Sequence, residues 1–267
     1  MYRFLLSRQW VIVTLVVLAL IPTMIELGFW QLHRHEHRVA LNKVISDSLS
    51  ADPVSVESLT APGATIDEDK DLYRSVTAKG RFDTGHEVVV RRRTNADDKV
   101  GYHVLTPFVL DDGRVLLVNR GWIPADGAQT EFPDIPAPAR GEITVTGRLM
   151  PDQTTAESGI KDLKGLPDRQ VMLINSEQQA ELLGREVLGG YIELTSPKPQ
   201  GGSPELIPEP DHGSIGPHMA YAVQWWLFAA GVPVGWVILV RRERRDREAA
   251  AAEAENEGEK EAAPAAV

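Results

Sequence analysis

The most explicit chemistry in this chain lies in nine consecutive residues, His218-Met219-Ala220-Tyr221-Ala222-Val223-Gln224-Trp225-Trp226. On a helix, His218, Tyr221, Ala222 and Trp225 fall at i, i+3, i+4 and i+7 and share one face. A neutral imidazole on such a face can ligate a haem iron, with the aromatic rings packed on the macrocycle and Ala222 leaving room for it. The same residues also suit an aromatic belt at a membrane interface, with a hydrated histidine above Tyr and Trp. Composition alone favours the belt.

Three other clusters could carry chemistry. His33-Arg34-His35-Glu36-His37 alternates histidines that could bind copper or zinc through imidazole nitrogen. Only His33 and His37 would share a helical face, and the interleaved Arg opposes a cation. A juxtamembrane helix touching lipid headgroups is the better reading. Val118-Asn119-Arg120-Gly121-Trp122-Ile123-Pro124 reads as a strand ending in a turn, with Gly121 and Pro124 setting the backbone and Trp122 packed on the core. The Arg120 fork suits an acidic partner or a haem propionate, but pairing with an acid or carbonyl of its own domain is the simpler expectation. Arg91-Arg92-Arg93 reads as a solvated strand end.

Composition narrows the field. A net charge of -10 and a pI near 5.2 give no basic face for nucleic acid. The absence of cysteine removes disulfides, thiolate zinc sites and CxxC redox chemistry. GxxxxGK[ST], HExxH and GxSxG are missing as well, so the sequence reads as a non-enzyme with no metal site beyond haem iron at His218.

The elements that must position these residues begin with two apolar runs. One spans residues 10–30 and the other 218–240. At about 1.5 Å per helical residue each can cross the roughly 30 Å hydrocarbon core. Arg3 and Arg8 precede the first run, and Arg241, Arg242, Arg244, Arg245 and Arg247 follow the second. Retention of Lys and Arg on the cytoplasmic side places both termini (1–9 and 241–267) in the cytoplasm and residues 31–217 outside, against the contrary charges of Arg34, Arg38 and Lys43. The first run is long for a signal-peptide core and lacks an A-x-A-like site, so it reads as an uncleaved anchor.

Between the runs, the first helix is expected to continue past Trp30, Arg34 and Arg38. An acidic loop then covers Asp47–Asp71. Strands are expected at Leu72–Gly80, Glu87–Arg93, Tyr102–Leu110, Val115–Val118, Ile143–Met150, Val171–Ile174 and Tyr191–Thr195, with a helix at Ser176–Leu183. Asp111-Asp112-Gly113-Arg114 makes a hairpin turn. The Pro- and Gly-rich stretch from Ser196 to Pro217 reads as a linker, and the Ala/Glu-rich tail as disordered or weakly helical. The expected architecture is two transmembrane helices flanking an extracytoplasmic α+β domain with a mainly antiparallel, barrel-like or sandwich-like sheet.

Taken in order, Gly28-x-Trp30-Gln31-x-x-Arg34, Tyr73-x-x-Val76-x-x-x-Gly80-x-Phe82, Thr106-Pro107-Phe108, Val118–Pro124 and His218-x-x-Tyr221-Ala222-x-Gln224-Trp225 resemble the Surfeit-locus-one family of cytochrome c oxidase assembly factors. The resemblance covers nearly the whole chain except the tail. It implies a two-span plasma-membrane protein that assists delivery or insertion of haem a into the oxidase catalytic subunit, with that subunit, the haem a synthase and membrane lipid as partners. In bacterial members the histidine opening the second span is the proposed haem ligand, which is His218 here. The resemblance therefore turns the reading of His218, Tyr221 and Trp225 from a belt to a haem a site. Gly28, Trp30, Gln31, Arg34, Asn119, Arg120, Gly121, Trp122 and Pro124 become structural or partner-binding positions. The Ala/Glu tail and the lack of an Arg/Ser-rich transit segment suggest a bacterial chain, of actinobacterial type. The competing expectation is a haem-free scaffold that captures an oxidase subunit through Trp122 and Arg120. Copper handling by the histidine cluster is a weaker third reading.

Overall fold

The computed structural model of the protein describes residues 3–127 and 130–262; residues 1, 2 and 263–267 of the two end regions lie outside it. The chain divides into two compact units. One comprises the residues up to Val39 together with those from Ile215 onward, and the other is Ala40–Ser214.

The first unit holds two helices. Helix α1 runs Arg8–Ser50, its last turns belonging to the other unit, so the first span does continue as helix and takes in the start of the stretch expected to be an acidic loop. The C-terminal helix begins at His218 and continues to Ala262. Both are long and apolar enough to cross a membrane. They meet along a narrow seam of small residues. Gly28 lies against the Trp226 indole, where a Cβ would collide with the ring, and Ala222 and Ala229 are buried one heptad apart. Phe29 meets Trp226 edge to face at 5.6 Å, and Trp236 Nε1 donates to Thr14 Oγ1 at 3.2 Å. Of the two readings of the Ala/Glu stretch, disordered or weakly helical, the structure shows the helix: it continues the second helix to Ala262. Ala and Glu are strong helix formers, and Arg247–Glu243 and Arg244–Glu248 pair one turn apart.

The second unit is built from eight strands: β1 Val54–Ser55, β2 Ser75–Phe82, β3 Val88–Thr94, β4 Val100–Leu110, β5 Val115–Pro124, β6 Ile143–Met150, β7 Gln170–Val171 and β8 Tyr191–Ser196. Two short helices join them, α2 Thr155–Ser158 and α3 Ser176–Leu183. By this chain order the C-terminal helix His218–Ala262 is α4. The strand order is β1-β2-β6-β8-β5-β4-β3-β7, and a further β2–β4 pairing closes β2, β6, β8, β5 and β4 into a ring. Of the two sheet forms expected, the protein adopts the barrel. Closure removes the edges of those five strands. Antiparallel pairs dominate, with parallel pairing at β1–β2, β3–β7 and β5–β8.

Side-chain alternation sets the inside of the barrel. Val76 and Ala78 of β2, Phe108 and Leu110 of β4, Leu116 and Val118 of β5, and Leu149 and Ile192 from β6 and β8 form one core. Strands β4 and β5 are apolar on both faces because their outer residues, Leu105, Val109, Val115 and Leu117, form a second core with Ile174 and the Ala180 and Leu183 face of α3. Helix α3 begins where the Asn175 side chain accepts from Gln178 N–H at 2.9 Å, and it ends at Gly184 in the left-handed region.

Three sequence expectations are corrected in this unit. The strand expected over Val171–Ile174 pairs only at Gln170–Val171, after which the chain turns so that Ile174 exchanges bonds with Gln153. The turn expected at Asn119–Pro124 is instead the second half of β5, bulged where Asn119 and Gly121 oppose Leu105 and Val104. The stretch read as a free linker is tied down, since Glu205 exchanges two backbone hydrogen bonds with Trp122 at 2.7 and 2.8 Å. Arg148 also donates to the carbonyls of Ile207 and Pro208.

Candidate functional site

In the helix-pair unit, α4 opens at His218 and the ring is half-buried. Its Nδ1 stands 3.0 Å from Gln31 Oε1 on α1, a contact between residues 187 apart in sequence. An amide oxygen only accepts, so Nδ1 is the donor of this pair, and in the neutral ring Nε2 is the nitrogen that has the lone pair. That is the tautomer a metal-binding imidazole needs when a neighbouring acceptor holds its other nitrogen. Gly216, with a φ of +66°, keeps the space beside this nitrogen open: a Cβ there would lie 3.3 Å from His218 Nε2 and Cδ2. The residues present would fit a haem group whose iron took its nitrogen ligand from His218.

The rest of the expected face divides. Ala222 is fully buried on the helix seam, so it makes room for the partner helix and not for a macrocycle, which corrects the sequence reading. Tyr221 is 47% exposed. Trp225 is half-buried and meets Phe228 edge to face at 6.1 Å. On α1, Gly28 sits in the seam. Trp30 is exposed, with the Arg34 guanidinium 5.6 Å from its ring centre. The motif around Trp30 thus supplies one close approach (Gly28), one ring orienter (Gln31) and one surface cation–aromatic pair. His33 and His37 are exposed and His35 is half-buried, and no group of three or more metal-ligating residues assembles among the described residues.

In the barrel unit, Asn119–Pro124 makes internal bonds. Asn119 Oδ1 accepts from Gly121 N–H at 3.1 Å, which orients the amide so that its Nδ2 donates to His103 Nδ1 at 3.2 Å. His103 therefore carries its proton on Nε2. Burial, reinforced by the nearby Arg93 charge, pushes its pKa down to about 3. Arg120 occupies the bulge, only 3% exposed, and its guanidinium is bonded to the Glu87 carboxylate and the Pro136 carbonyl. Thr106 Oγ1 donates to the same Glu87 oxygen at 2.7 Å. Burial lowers the Arg120 pKa while Glu87 opposes the shift. Gly121, with a φ of +126°, is approached so closely by the Glu205 carbonyl that a side chain would collide with it. Trp122, 7% exposed, donates from Nε1 to Arg93 O at 3.0 Å, and Pro124 ends the strand at the surface.

Arg120 and Trp122 thus hold their own domain together, as the simpler sequence expectation had it. Trp122 is buried, and Arg120 is bonded within the domain although it lines a surface hollow. Arg91–Arg93 is corrected too. Arg92 alone points to solvent, while Arg91 donates to Gln170 Oε1 and Arg93 to Gln153 Oε1 and Met172 O. Sequence reasoning missed Glu87, His103 and Trp226. Glu87 just precedes β3 and His103 lies in the apolar β4, with no local signal for their partners.

Comparisons with known proteins agree with this organisation. The SURF1 family model matches residues 18–230. An uncharacterised SURF1-like protein of Mycobacterium bovis is 32% identical over 238 residues, covering 87% of this chain and 83% of its own. A SURF1-like protein of Rickettsia conorii is 26% identical over 226 residues, covering 82% of this chain and 87% of its own. Surfeit locus protein 1 of the mouse is 31% identical over 122 residues, covering 40% of this chain and 38% of its own. A family model spanning most of the sequence, together with mycobacterial relatives along nearly its full length, shows that this chain belongs to the SURF1 family and is consistent with the actinobacterial type.

Proposed function

We propose that the protein is an assembly factor for a haem-copper cytochrome c oxidase, and that it holds haem a at His218 while the group passes to the catalytic subunit. The observation that carries this reading is the His218–Gln31 pair. Two motif residues from different helices meet so that one orients the other through Nδ1 and leaves Nε2 outside that contact. Bound haem a would supply the iron that takes the Nε2 lone pair. The exposed Tyr221 and the half-buried Trp225 offer apolar ring surface on the same helix.

In this reading both helices cross the plasma membrane, both termini are cytoplasmic, and the barrel domain is extracytoplasmic. The basic cluster after the second span supports that orientation. The partners are the oxidase catalytic subunit, the haem a synthase that supplies the group, and membrane lipid.

The test is the visible spectrum and pyridine haemochrome of detergent-purified protein co-expressed with the haem a pathway. Wild type should carry a haem a band that is lost in His218→Ala. Absence of haem from wild type would overturn the carrier role and leave a haem-free scaffold.

A further inference from the structure

We propose that the barrel domain docks an extended acidic segment of a partner protein in a basic cleft astride residues 137–140. Two hollows adjoin this segment and share it as a wall, with volumes of about 390 and 310 Å³. Phe82 lies in both, and Leu194 completes an apolar part of the larger one. Its lining contains no acid. Around the two hollows stand Arg81, Arg140 and Lys198, all exposed. The one acid lining the smaller hollow is Glu87, already engaged by Arg120 and Thr106.

The chain has a net charge of -10, and several of its basic side chains are paired with acids: Lys43 with Asp47, Lys70 with Asp67, Lys79 with Glu142 and Arg114 with Asp112. Among the described residues, Arg81, Arg140 and Lys198 have no acid within salt-bridge distance. Three unpaired cations converging on a cleft in an acidic protein form a positive site that a carboxylate-bearing chain complements.

The backbone argues for an extended occupant. Residues 137–140 belong to no helix or strand, and among the described residues their N–H groups make no hydrogen bond. The amides of Ala137, Ala139 and Arg140 are therefore open to the carbonyls of a chain laid alongside them. Phe82 and Leu194 would receive an apolar side chain between the acids. The inference is independent of haem, since none of these residues belongs to the helix-pair unit.

The experiment is fluorescence anisotropy of a fluorescein-labelled, Glu-rich peptide titrated with the full chain in nanodiscs of neutral lipid. A Lys-rich peptide serves as control. Binding that weakens as salt is raised, and that falls at least about tenfold in Arg140→Glu/Lys198→Glu and by less in Arg140→Gln/Lys198→Gln, is the expected result. Circular dichroism and the haem band of the variants should match wild type, which separates this site from the His218 reading. Failure of the Glu-rich peptide to bind at low salt, or equal binding by the double-Glu variant, would overturn the proposal. So would a loss confined to binding of anionic-lipid vesicles, which would assign the cleft to headgroups.

Discussion

His218 and His103 have the same side chain, yet their surroundings prepare them for opposite work. At His218 an acceptor, Gln31 Oε1, holds Nδ1 and leaves Nε2 bare. At His103 a donor, the Asn119 amide, holds Nδ1 and forces the proton onto Nε2. The first imidazole can give a lone pair to a metal, whereas the second can only donate from its remaining nitrogen and is kept neutral by burial. Counting histidines in a sequence does not find the ligand. The atom facing Nδ1 decides.

The comparison can be broken at several points. The largest expected effect falls on the barrel and should leave haem untouched. Arg120→Met strands the Glu87 carboxylate with Thr106 as its remaining partner, and denaturant unfolding of the barrel should show a loss of about 3–5 kcal/mol. An unchanged unfolding midpoint would mean that the Arg120–Glu87 pair does not hold the bulge. Gln31→Leu comes next and acts on the other unit. With the orienting acceptor gone, haem a affinity should drop by about 10- to 100-fold while barrel unfolding stays as in wild type. Equal affinity would remove Gln31 from the site. Asn119→Ala takes away the partner of Gly121 N–H and of His103, with an expected cost of about 1 kcal/mol in barrel stability.

A pH dependence tests His103 separately. The folded-state pKa of His103 lies below its unfolded value, so the unfolded chain takes up the proton first on acidification. Stability attributable to His103 is complete above about pH 6.5 and falls as pH drops toward about 3, by at most about 1.4 kcal/mol per unit. Unfolding of His103→Gln should lose that part of the slope. An identical slope in both proteins would show that His103 does not titrate in this way.

Much of the fold was legible. The Asp111–Arg114 turn, the alternation of Ile143–Met150 and the helix at Ser176–Leu183 all rest on local chemistry, and local chemistry is what a sequence displays. The second half of β5 was not legible. Gly121 and Pro124 are turn residues by their own preferences, and only the approach of the distant Glu205 backbone explains why a glycine stands within a strand. Arg93 misled for a similar reason, because its partners Gln153 and Met172 come from other parts of the chain. At the site, the His218 helix face was visible as a period. Its division into a buried seam at Ala222 and an exposed Tyr221 depends on which side α1 packs against, and no single-helix pattern contains that.

The most direct test of His218 as a haem a ligand is chemical rescue. His218→Gly, purified from cells making haem a, should lack the haem band of wild type and regain it when imidazole is added, since the free ring can occupy the place of the lost side chain. A haem a band of undiminished strength in His218→Gly before imidazole is added would contradict the account and move the site away from the Gln31–His218 pair.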